Sequence, residues 1–596
     1  MKTRIYKYTM ALLVTGLFLS LTACFDDLNQ FPPYDKEKDA LLNEEGCKAI
    51  LAKIYTGLSA SGIQGPNGFD DLVAPDGDQG TLVFLRGLFF MQELPTDEAI
   101  WNWKDPGIVE LINTNWSYST KYAYTFYQRC MLNIRYCKEF LNIYTPDMNI
   151  PNLDRMRDEA RGLRALTYFY LIDIYGNPAF VWDAGKDGDD GDPEWIPSPL
   201  DTQNAKEGRK KLFNTIIEEL KDLENSDFLP NQPVMSTYGK ITKPVIWTLL
   251  AKMYLNAEVY TGTNMYKECA EYSKKIIDSG YFGLETDYAN LFCGENYKTM
   301  LTGKKEFIFA IPFDDYYMKS YGSTVVMTAG AFGGVLNPIW FGLNSSWTCL
   351  KAKESLIDKF AGGYTGTGRF KNNVKADKRY LFFDVKDYKK DDGKYTYETG
   401  ANPVSDEWPF DATTGKICYV VDERRAKESK MEDWDAGFLS YKFTNLNWDG
   451  VKPENATAFP NTDFPLFRFA DIYLMYIECA VRGAEGADRP TALTYLNLLR
   501  SRAGLPAVPS ALMNTVLNET NILDERSREL YWEAQRRTDL IRFGKFTKDY
   551  AWPYKGNTPE GELNIDDKYN LYPFSDKDLV SNPNLVQNEG YQSLKN

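Results

Sequence analysis

The sequence predicts a mostly α-helical protein, in which tetratricopeptide-like helical pairs support an irregular, loop-rich ligand-binding half with short strands. Amphipathic patterns bounded by helix caps and stops occupy about residues 40–280 and 465–546. Near Gly262 two helical patterns follow each other closely, as in a helix-turn-helix repeat. About residues 60–116 and 283–460 are instead rich in glycine, polar and aromatic residues, which is typical of loops and short strands.

The first 23 residues have the form of a secretory signal peptide. Basic residues precede an apolar run from Met10 to Leu21, and this run is too short to span a bilayer. A small residue followed by Cys24 resembles a bacterial lipobox. We therefore expect Cys24 to be acylated as the first residue of a mature unit, 24–596, that is held to the membrane by lipid alone. The alternative is an ordinary signal peptide with an incidental cysteine.

The helices are predicted in chain order from their hydrophobic period and their caps. The segment "EEGCKAILAKIYTGL" (44–58) carries an apolar stripe, and Asn43 is placed as its cap. The small residues Ala251, Ala257 and Ala270 stand where neighbouring helices would touch. The remaining predicted helices cover 121–144, 153–178, 208–225, 242–260, 264–282, 467–485, 489–504 and 523–546.

Two stretches of the loop-rich parts have a recognisable local pattern. The apolar run "EFIFAIPF" (306–313) predicts a short strand. The acidic run "KDGDDGDPEW" (186–195) suggests calcium, but it lacks the glycine and the glutamate that an EF-hand loop needs. We therefore predict a solvated acidic loop there.

Composition narrows the possible functions. The chain has 83 acidic and 68 basic residues and a net charge of −15, which argues against nucleic acid as a partner. It has no histidine, which excludes Ser-His-Asp and Cys-His nucleophile activation and every metal site that contains histidine. The eight cysteines after Cys24 include no Cys-x-x-Cys pair and are predicted to be buried free thiols. We expect neither a cofactor nor a metal. Aromatic residues make up 15% of the chain, which suits a protein that binds sugar rings or one with a large core.

The stretch "QELPTDEAIWNWKD" (92–105) places two tryptophans one residue apart. In an extended segment Trp101 and Trp103 would present their indoles in one direction and Asn102 would point the opposite way. A helix would separate the two tryptophans by about 200°. The alternative is that one or both indoles fill the core beneath the loop.

A glycoside hydrolase would need two carboxyl groups that face each other across the scissile bond. The nearest candidates, Asp97 and Glu98, are sequence neighbours that would point to different sides of a strand. We therefore expect a binding protein rather than an enzyme.

Four ordered motifs that follow the lipobox resemble one known family. They are "EARGLRALTYFYLIDIYGNPAFV", "FPLFRFADIYLMYIECA", "RELYWEAQRRTDLIRFGKF" and "YPFSDKDLVSNPNLVQNEGY". Together they look like the SusD (RagB/SusD) family of outer-membrane, nutrient-binding lipoproteins of Bacteroidetes, over nearly the whole mature chain. The arginines of these motifs lie on helices rich in acidic residues, so we expect them to form salt bridges; they are Arg161, Arg164, Arg536 and Arg542.

The resemblance implies a SusD-like α/α superhelix and a lipid-anchored protein at the cell surface. Such a protein captures an oligo- or polysaccharide, here an α-glucan such as starch or a related glucan. It delivers the glycan to a SusC-type TonB-dependent outer-membrane barrel, on which it sits as a lid. The alternative function is that of the oligopeptide-capturing lid of a RagAB-type importer.

The resemblance also nominates a glycan-binding site. The stretch "DGDQGTLVFLRGLFFMQELPTDEAIWNW" is similar to one in starch-binding members, where acidic and arginine side chains and a Trp-x-Trp pair contact sugar. The stretches "KSYGSTVV" and "NSSWTCLKA" resemble those that complete an aromatic arc. The six residues nominated in this way are Asp78, Arg86, Trp101, Trp103, Tyr321 and Trp347. One position departs from the pattern, because Pro106 stands where the starch-binding members have an asparagine, and Asp105 is the candidate substitute.

Overall fold

The computed structural model describes residues 41–592 except 63–65, 67–68, 75, 190–191, 193, 334–337, 362–376, 383–387, 392–393 and 398–436. The predicted signal peptide (1–23), the lipidation site Cys24 and the thiol of Cys418 lie outside the described residues. Within the described part of the chain, no helix combines the length and the apolar character needed to cross a bilayer.

Helices dominate the described residues, which confirms the predicted fold class. In chain order they are α1 (Glu44–Thr56), α2 (Phe84–Glu93), α3 (Ile108–Ile112), α4 (Lys121–Ile143), α5 (Leu153–Ile174), α6 (Ala205–Asn225), α7 (Lys243–Leu255), α8 (Ala257–Thr261), α9 (Tyr266–Asp278), α10 (Glu354–Ala361), α11 (Phe469–Val481), α12 (Arg489–Arg502), α13 (Met513–Val516), α14 (Glu519–Leu530), α15 (Arg536–Arg542) and α16 (Asp576–Ser581). The strands are β1 (Ala99–Trp101), β2 (Phe307–Ile311), β3 (Leu350–Ala352), β4 (Tyr388–Asp391), β5 (Lys394–Tyr397) and β6 (Phe464–Arg468).

Capping and turn residues in the sequence define where α1 begins and where α7, α8 and α9 meet. Asn43 caps α1, and its side chain accepts a hydrogen bond of 3.0 Å from the backbone N–H of Gly46. Helices α7, α8 and α9 follow each other closely. Gly262 lies between α8 and α9 and has a φ of +78°, a left-handed conformation that favours glycine. The side chains of Ala251, Ala257 and Ala270 are buried. Helix α9 packs on both α7 and α11, so the predicted helix-turn-helix pair is confirmed.

The strands form two-stranded antiparallel sheets, of which β1–β3 and β2–β6 join distant parts of the chain, whereas β4–β5 is a local pair. The predicted strand in "EFIFAIPF" is β2, which pairs with β6. Strand β1 pairs with β3 so that Ala99 lies opposite Ala352 and Trp101 lies opposite Leu350. This second pairing brings the Trp-x-Trp segment to the stretch that carries Trp347.

The arginines of the family motifs form ion pairs with buried carboxylates, which confirms their predicted role. The N–O distances are 2.7–3.0 Å: Arg161 and Arg164 contact Glu219, Arg536 contacts Asp97, and Arg542 contacts Glu478. Burial makes each of these charges depend on its partner, because an unpaired buried charge costs several kcal/mol. The seven described cysteines are buried free thiols, as predicted.

Two helical predictions were wrong, and both errors have a physical cause. Residues 84–93 lie in a part that is predicted to be loop-rich but form α2; its N-cap residue Val83 provides no capping side chain and Gly87 lies in its interior, so the usual signals of a helix are missing. The predicted helix 523–546 is broken between α14 and α15. Trp532 and Ala534 have φ values of +61° and +58°, and this left-handed turn places the indole of Trp532 in the core.

The predicted solvated acidic loop is confirmed in part, because Lys186, Asp192 and Glu194 are exposed. The side chain of Asp187 is instead 1% exposed, and the ammonium group of Lys138 lies 2.7 Å from Asp187 Oδ2 and 2.6 Å from Asp189 Oδ2. The ring of Trp195 covers the same ammonium group at 4.3 Å. The lysine therefore occupies the position between these two carboxylates, and the described residues contain no group of three or more acidic or cysteine side chains arranged to hold a metal ion.

Candidate functional site

Asp78 and Arg86 form the first part of the candidate site. Asp78 precedes α2, and Arg86 lies in the first turn of that helix. Asp78 caps a short 3-10 helix (Gln79–Leu82) and accepts a hydrogen bond of 3.0 Å from the N–H of Gly80. Arg86 donates from Nη1 and Nη2 to the two oxygens of the Asp78 carboxylate, at 3.1 and 2.8 Å. This two-point ion pair fixes both side chains before any ligand arrives.

The surroundings of Arg86 keep it charged. Burial alone would lower the pKa of its guanidinium group, but the hydroxyl of Tyr122 and the carboxylate of Asp78 outweigh burial and raise that pKa. The Tyr122 hydroxyl lies 3.5 Å from Nη2, and the guanidinium group lies 5.2 Å from the ring centre of Phe90. The ion pair is therefore held as a charged unit.

Backbone hydrogen bonds hold the stretch that carries Trp347 against both the Trp-x-Trp segment and Ala329. The N–H of Asn102 donates to Cys349 O at 2.8 Å, which extends the β1–β3 pairing by one residue. The N–H of Trp347 donates to Ala329 O at 2.7 Å. Asn102 points away from the tryptophans, as predicted, and accepts a hydrogen bond of 2.8 Å from Lys351.

A close approach of two loops adds Tyr321. A Cβ on Gly80 would lie 2.9 Å from Tyr321 O, and a Cβ on Gly322 would lie 2.2 Å from the Val83 side chain. Only glycine allows these segments to touch without movement. The ring of Phe459 packs behind Tyr321, with 5.3 Å between the ring centres.

The rings of Trp103, Trp347 and Tyr321 form a continuous row in which neighbouring rings are tilted against each other. The ring centres of Trp103 and Trp347 are 6.0 Å apart with their planes tilted by 37°. The ring centres of Trp347 and Tyr321 are 6.5 Å apart with a tilt of 39°. Trp103 and Tyr321 are 43% and 37% exposed, and Trp347 is partly exposed. The three rings thus offer stacking faces to a ligand.

Trp101 differs from the expectation that both tryptophans present parallel faces. It is 1% exposed, its plane makes an angle of 83° with that of Trp103, and its ring contacts Phe90 at 4.8 Å. The reason is that β1 ends at Trp101, so the alternation of an extended strand does not continue to Trp103. Trp101 therefore forms the floor beneath the row rather than one of its faces.

The six nominated residues line one open cleft of about 530 Å³, which we call the aromatic cleft. Its lining is Pro66, Gly77, Asp78, Gln79, Arg86, Trp101, Trp103, Asp105, Tyr321 and Trp347. Asp105 lies in the lining, whereas Pro106 does not.

Sequence reasoning missed Gln79, although it follows Asp78 directly, and it missed the supporting ring of Phe459. The position of Gln79 in the sequence, between Asp78 and the closely packed Gly80, could have indicated that it lines the cleft. Phe459 gave no local signal, because only the fold brings it to Tyr321.

Asp97 and Glu98, the nearest candidates for the carboxyl pair of a hydrolase, lie outside the aromatic cleft. Asp97 is buried and binds Arg536 at 2.8 Å and Lys359 at 2.6 Å. Glu98 is buried against Ser527, and neither carboxylate lines the aromatic cleft.

Comparison with known proteins gives consistent matches. The SusD family profile matches residues 305–591. The starch-binding protein SusD of Bacteroides thetaiotaomicron is 31% identical over 598 residues, which cover 99% of this chain and 100% of that protein. A SusD-like protein of Bacteroides ovatus is 21% identical over 468 residues, which cover 72% of this chain and 73% of that protein.

Solved structures match over most of the chain. A SusD superfamily protein from Parabacteroides distasonis aligns with a TM-score of 0.63 and 20% identity, over 92% of this chain and 99% of that one. Surface glycan-binding protein A from Bacteroides thetaiotaomicron, in complex with laminarihexaose, aligns with a TM-score of 0.58 and 17% identity, over the same shares of the two chains. Both matches confirm the fold class.

Proposed function

Because the chain belongs to the SusD family, we propose that it is a cell-surface glycan-binding lipoprotein and not an enzyme. It captures an oligo- or polysaccharide in the aromatic cleft, and the preferred class is an α-glucan such as starch. It delivers this glycan to a SusC-type TonB-dependent barrel in the outer membrane, where a lipid on Cys24 anchors it.

The observation that carries the proposal is the row of three accessible rings. Sugar rings have apolar C–H faces that stack on aromatic faces, and each stacked ring contributes about 1–3 kcal/mol by analogy with base stacking. The planes of neighbouring rings are tilted by 37° between Trp103 and Trp347 and by 39° between Trp347 and Tyr321. The family resemblance implies that such a row forms an arc, which suits a polymer with its own curvature, as α-linked glucans have.

Polar groups at the edge of the row suit the hydroxyl groups of a sugar. Asp78 is partly exposed and keeps acceptor capacity beyond its two bonds from Arg86 and its bond from the N–H of Gly80. Asp105 adds a second carboxylate to the lining. The printed name of the 31% identical relative, a starch-binding protein, supports the α-glucan class. Peptide capture is not favoured, because peptide recognition does not require a row of stacking rings.

Affinity electrophoresis against soluble α- and β-glucans tests this function. We expect the protein to be retarded by amylopectin more strongly than by laminarin, with dissociation constants of about micromolar to millimolar. Trp103→Ala should abolish most of the retardation. Phe228→Ala is the matched control, because Phe228 is also exposed but lies on a segment that does not line the cleft. Retardation by laminarin alone would refute the α-glucan assignment, and the absence of retardation by every glucan would refute glucan capture.

A further inference from the structure

A second pair of exposed rings precedes Tyr321 in the chain. Tyr316 and Tyr317 are 70% and 81% exposed, and we call them the tyrosine pair. Their ring centres are 4.5 Å apart and their planes make an angle of 85°. The face of one ring and the edge of the other therefore form a corner that is open to solvent.

The backbone under the tyrosine pair is held firmly. One oxygen of Asp314 accepts hydrogen bonds from the N–H groups of Tyr316, Tyr317 and Met318, with distances of 2.8 Å to Tyr316 and 3.0 Å to Met318. Such a turn fixes the direction in which both side chains leave the backbone. The backbone of both residues is therefore ordered before a ligand binds, so only side-chain torsions remain to be fixed and the entropy cost of binding is reduced.

The segment that carries the tyrosine pair is linked to the segment beside the aromatic cleft at two points. The N–H of Asp315 donates to Asn461 Oδ1 at 2.9 Å, and Phe459, two residues earlier, packs against Tyr321. Each residue spans at most about 3.6 Å, so the backbone of Tyr317 lies within roughly 14 Å of that of Tyr321. A chain molecule that leaves the cleft beside Tyr321 can reach the tyrosine pair.

We propose that the tyrosine pair is an additional subsite for the same glucan chain, beyond the three rings of the aromatic cleft. This inference rests on the proposed function. The subsite binds sugar units that extend past Tyr321, through ring stacking and through the two phenol hydroxyls. It makes affinity depend on glucan length, because only an oligosaccharide longer than the cleft reaches it.

Calorimetric titration of the full protein with maltotriose and maltoheptaose tests the subsite. For Tyr316→Ala/Tyr317→Ala we expect maltoheptaose affinity to fall about fivefold or more, while maltotriose affinity stays unchanged. The Phe pair, Tyr316→Phe/Tyr317→Phe, keeps the ring faces and should retain most of the length dependence. Phe228→Ala serves as a surface control. Melting curves verify that every variant is folded.

The outcomes separate the subsite from the function on which it rests. If the wild-type protein prefers maltoheptaose and the Ala pair preserves that preference, the subsite is refuted while glucan binding stands. If the Ala pair weakens both sugars equally, the tyrosine pair acts on the cleft itself and the subsite is again refuted. If the wild-type protein binds neither sugar, both the proposed α-glucan function and the subsite fail.

Discussion

Replacing Trp101 by alanine should destabilise the fold, whereas replacing Trp103 should weaken ligand binding and leave the fold intact. The indole of Trp101 is fully buried against Phe90, so its removal leaves a cavity and costs about 3–5 kcal/mol. Trp103 is 43% exposed, and its removal costs about 1 kcal/mol or less. The two residues thus separate a structural role from a binding role within a single Trp-x-Trp motif.

The size of the protein sets the expected shift in melting temperature. An unfolding entropy of about 2.1 cal/mol/K per residue gives about 1.2 kcal/mol/K for a chain of this length. A loss of about 3–5 kcal/mol lowers the melting temperature of Trp101→Ala by about 2–4 °C, and a loss of about 1 kcal/mol or less lowers that of Trp103→Ala by less than about 1 °C. Differential scanning calorimetry resolves this difference. Equal melting of the two variants, or earlier melting of Trp103→Ala, would show that the burial argument is wrong.

Three other predictions concern acidity, anchoring and catalysis. Burial and, to a smaller extent, the charge of Asp314 raise the pKa of Asp463 to about 7. Hydrogen bonds from Tyr238 and from the N–H of Phe313 lower this pKa but do not offset burial. The folded state therefore holds this proton more tightly than the unfolded state, so the contribution of Asp463 to stability is fully present below about pH 4 and is lost as pH rises through about 7. Asp463→Asn should flatten that slope in denaturant titrations, and an unchanged slope would contradict it. Cys24→Ala should move the protein from the washed membrane fraction to the soluble fraction, and its persistence on membranes would contradict the lipobox. Purified protein should release no reducing ends from amylopectin, and a release that is proportional to protein and lost with one carboxylate would contradict a binding-only role.

The helical part of the fold could be predicted because its signals are local. Asn43 and the apolar stripe behind it define α1 within a single stretch of sequence. Helix α2 escaped prediction because its N-cap residue Val83 has no capping side chain and Gly87 lies inside the helix. The break after α14 escaped because Trp532 and Ala534 adopt left-handed conformations that their residue types do not announce.

The candidate site depends on contacts that no local pattern encodes. Trp101 and Trp347 meet because β1 pairs with β3, and composition or periodicity could not reveal this pairing. Only the family resemblance placed Tyr321 and Trp347 with the Trp-x-Trp segment before the fold was known. The division between a buried Trp101 and an exposed Trp103 required the structure, because it depends on where β1 ends.

Titration of the wild-type protein and Trp347→Ala with maltoheptaose tests the central claim most directly. Trp347 lies between Trp103 and Tyr321 in the row, so its loss interrupts stacking on both sides. We expect the wild-type protein to bind maltoheptaose in the micromolar to millimolar range. The affinity of Trp347→Ala should be about 5- to 150-fold lower, and the two proteins should melt at nearly equal temperatures. Equal affinities for maltoheptaose, with both proteins folded, would contradict the central claim.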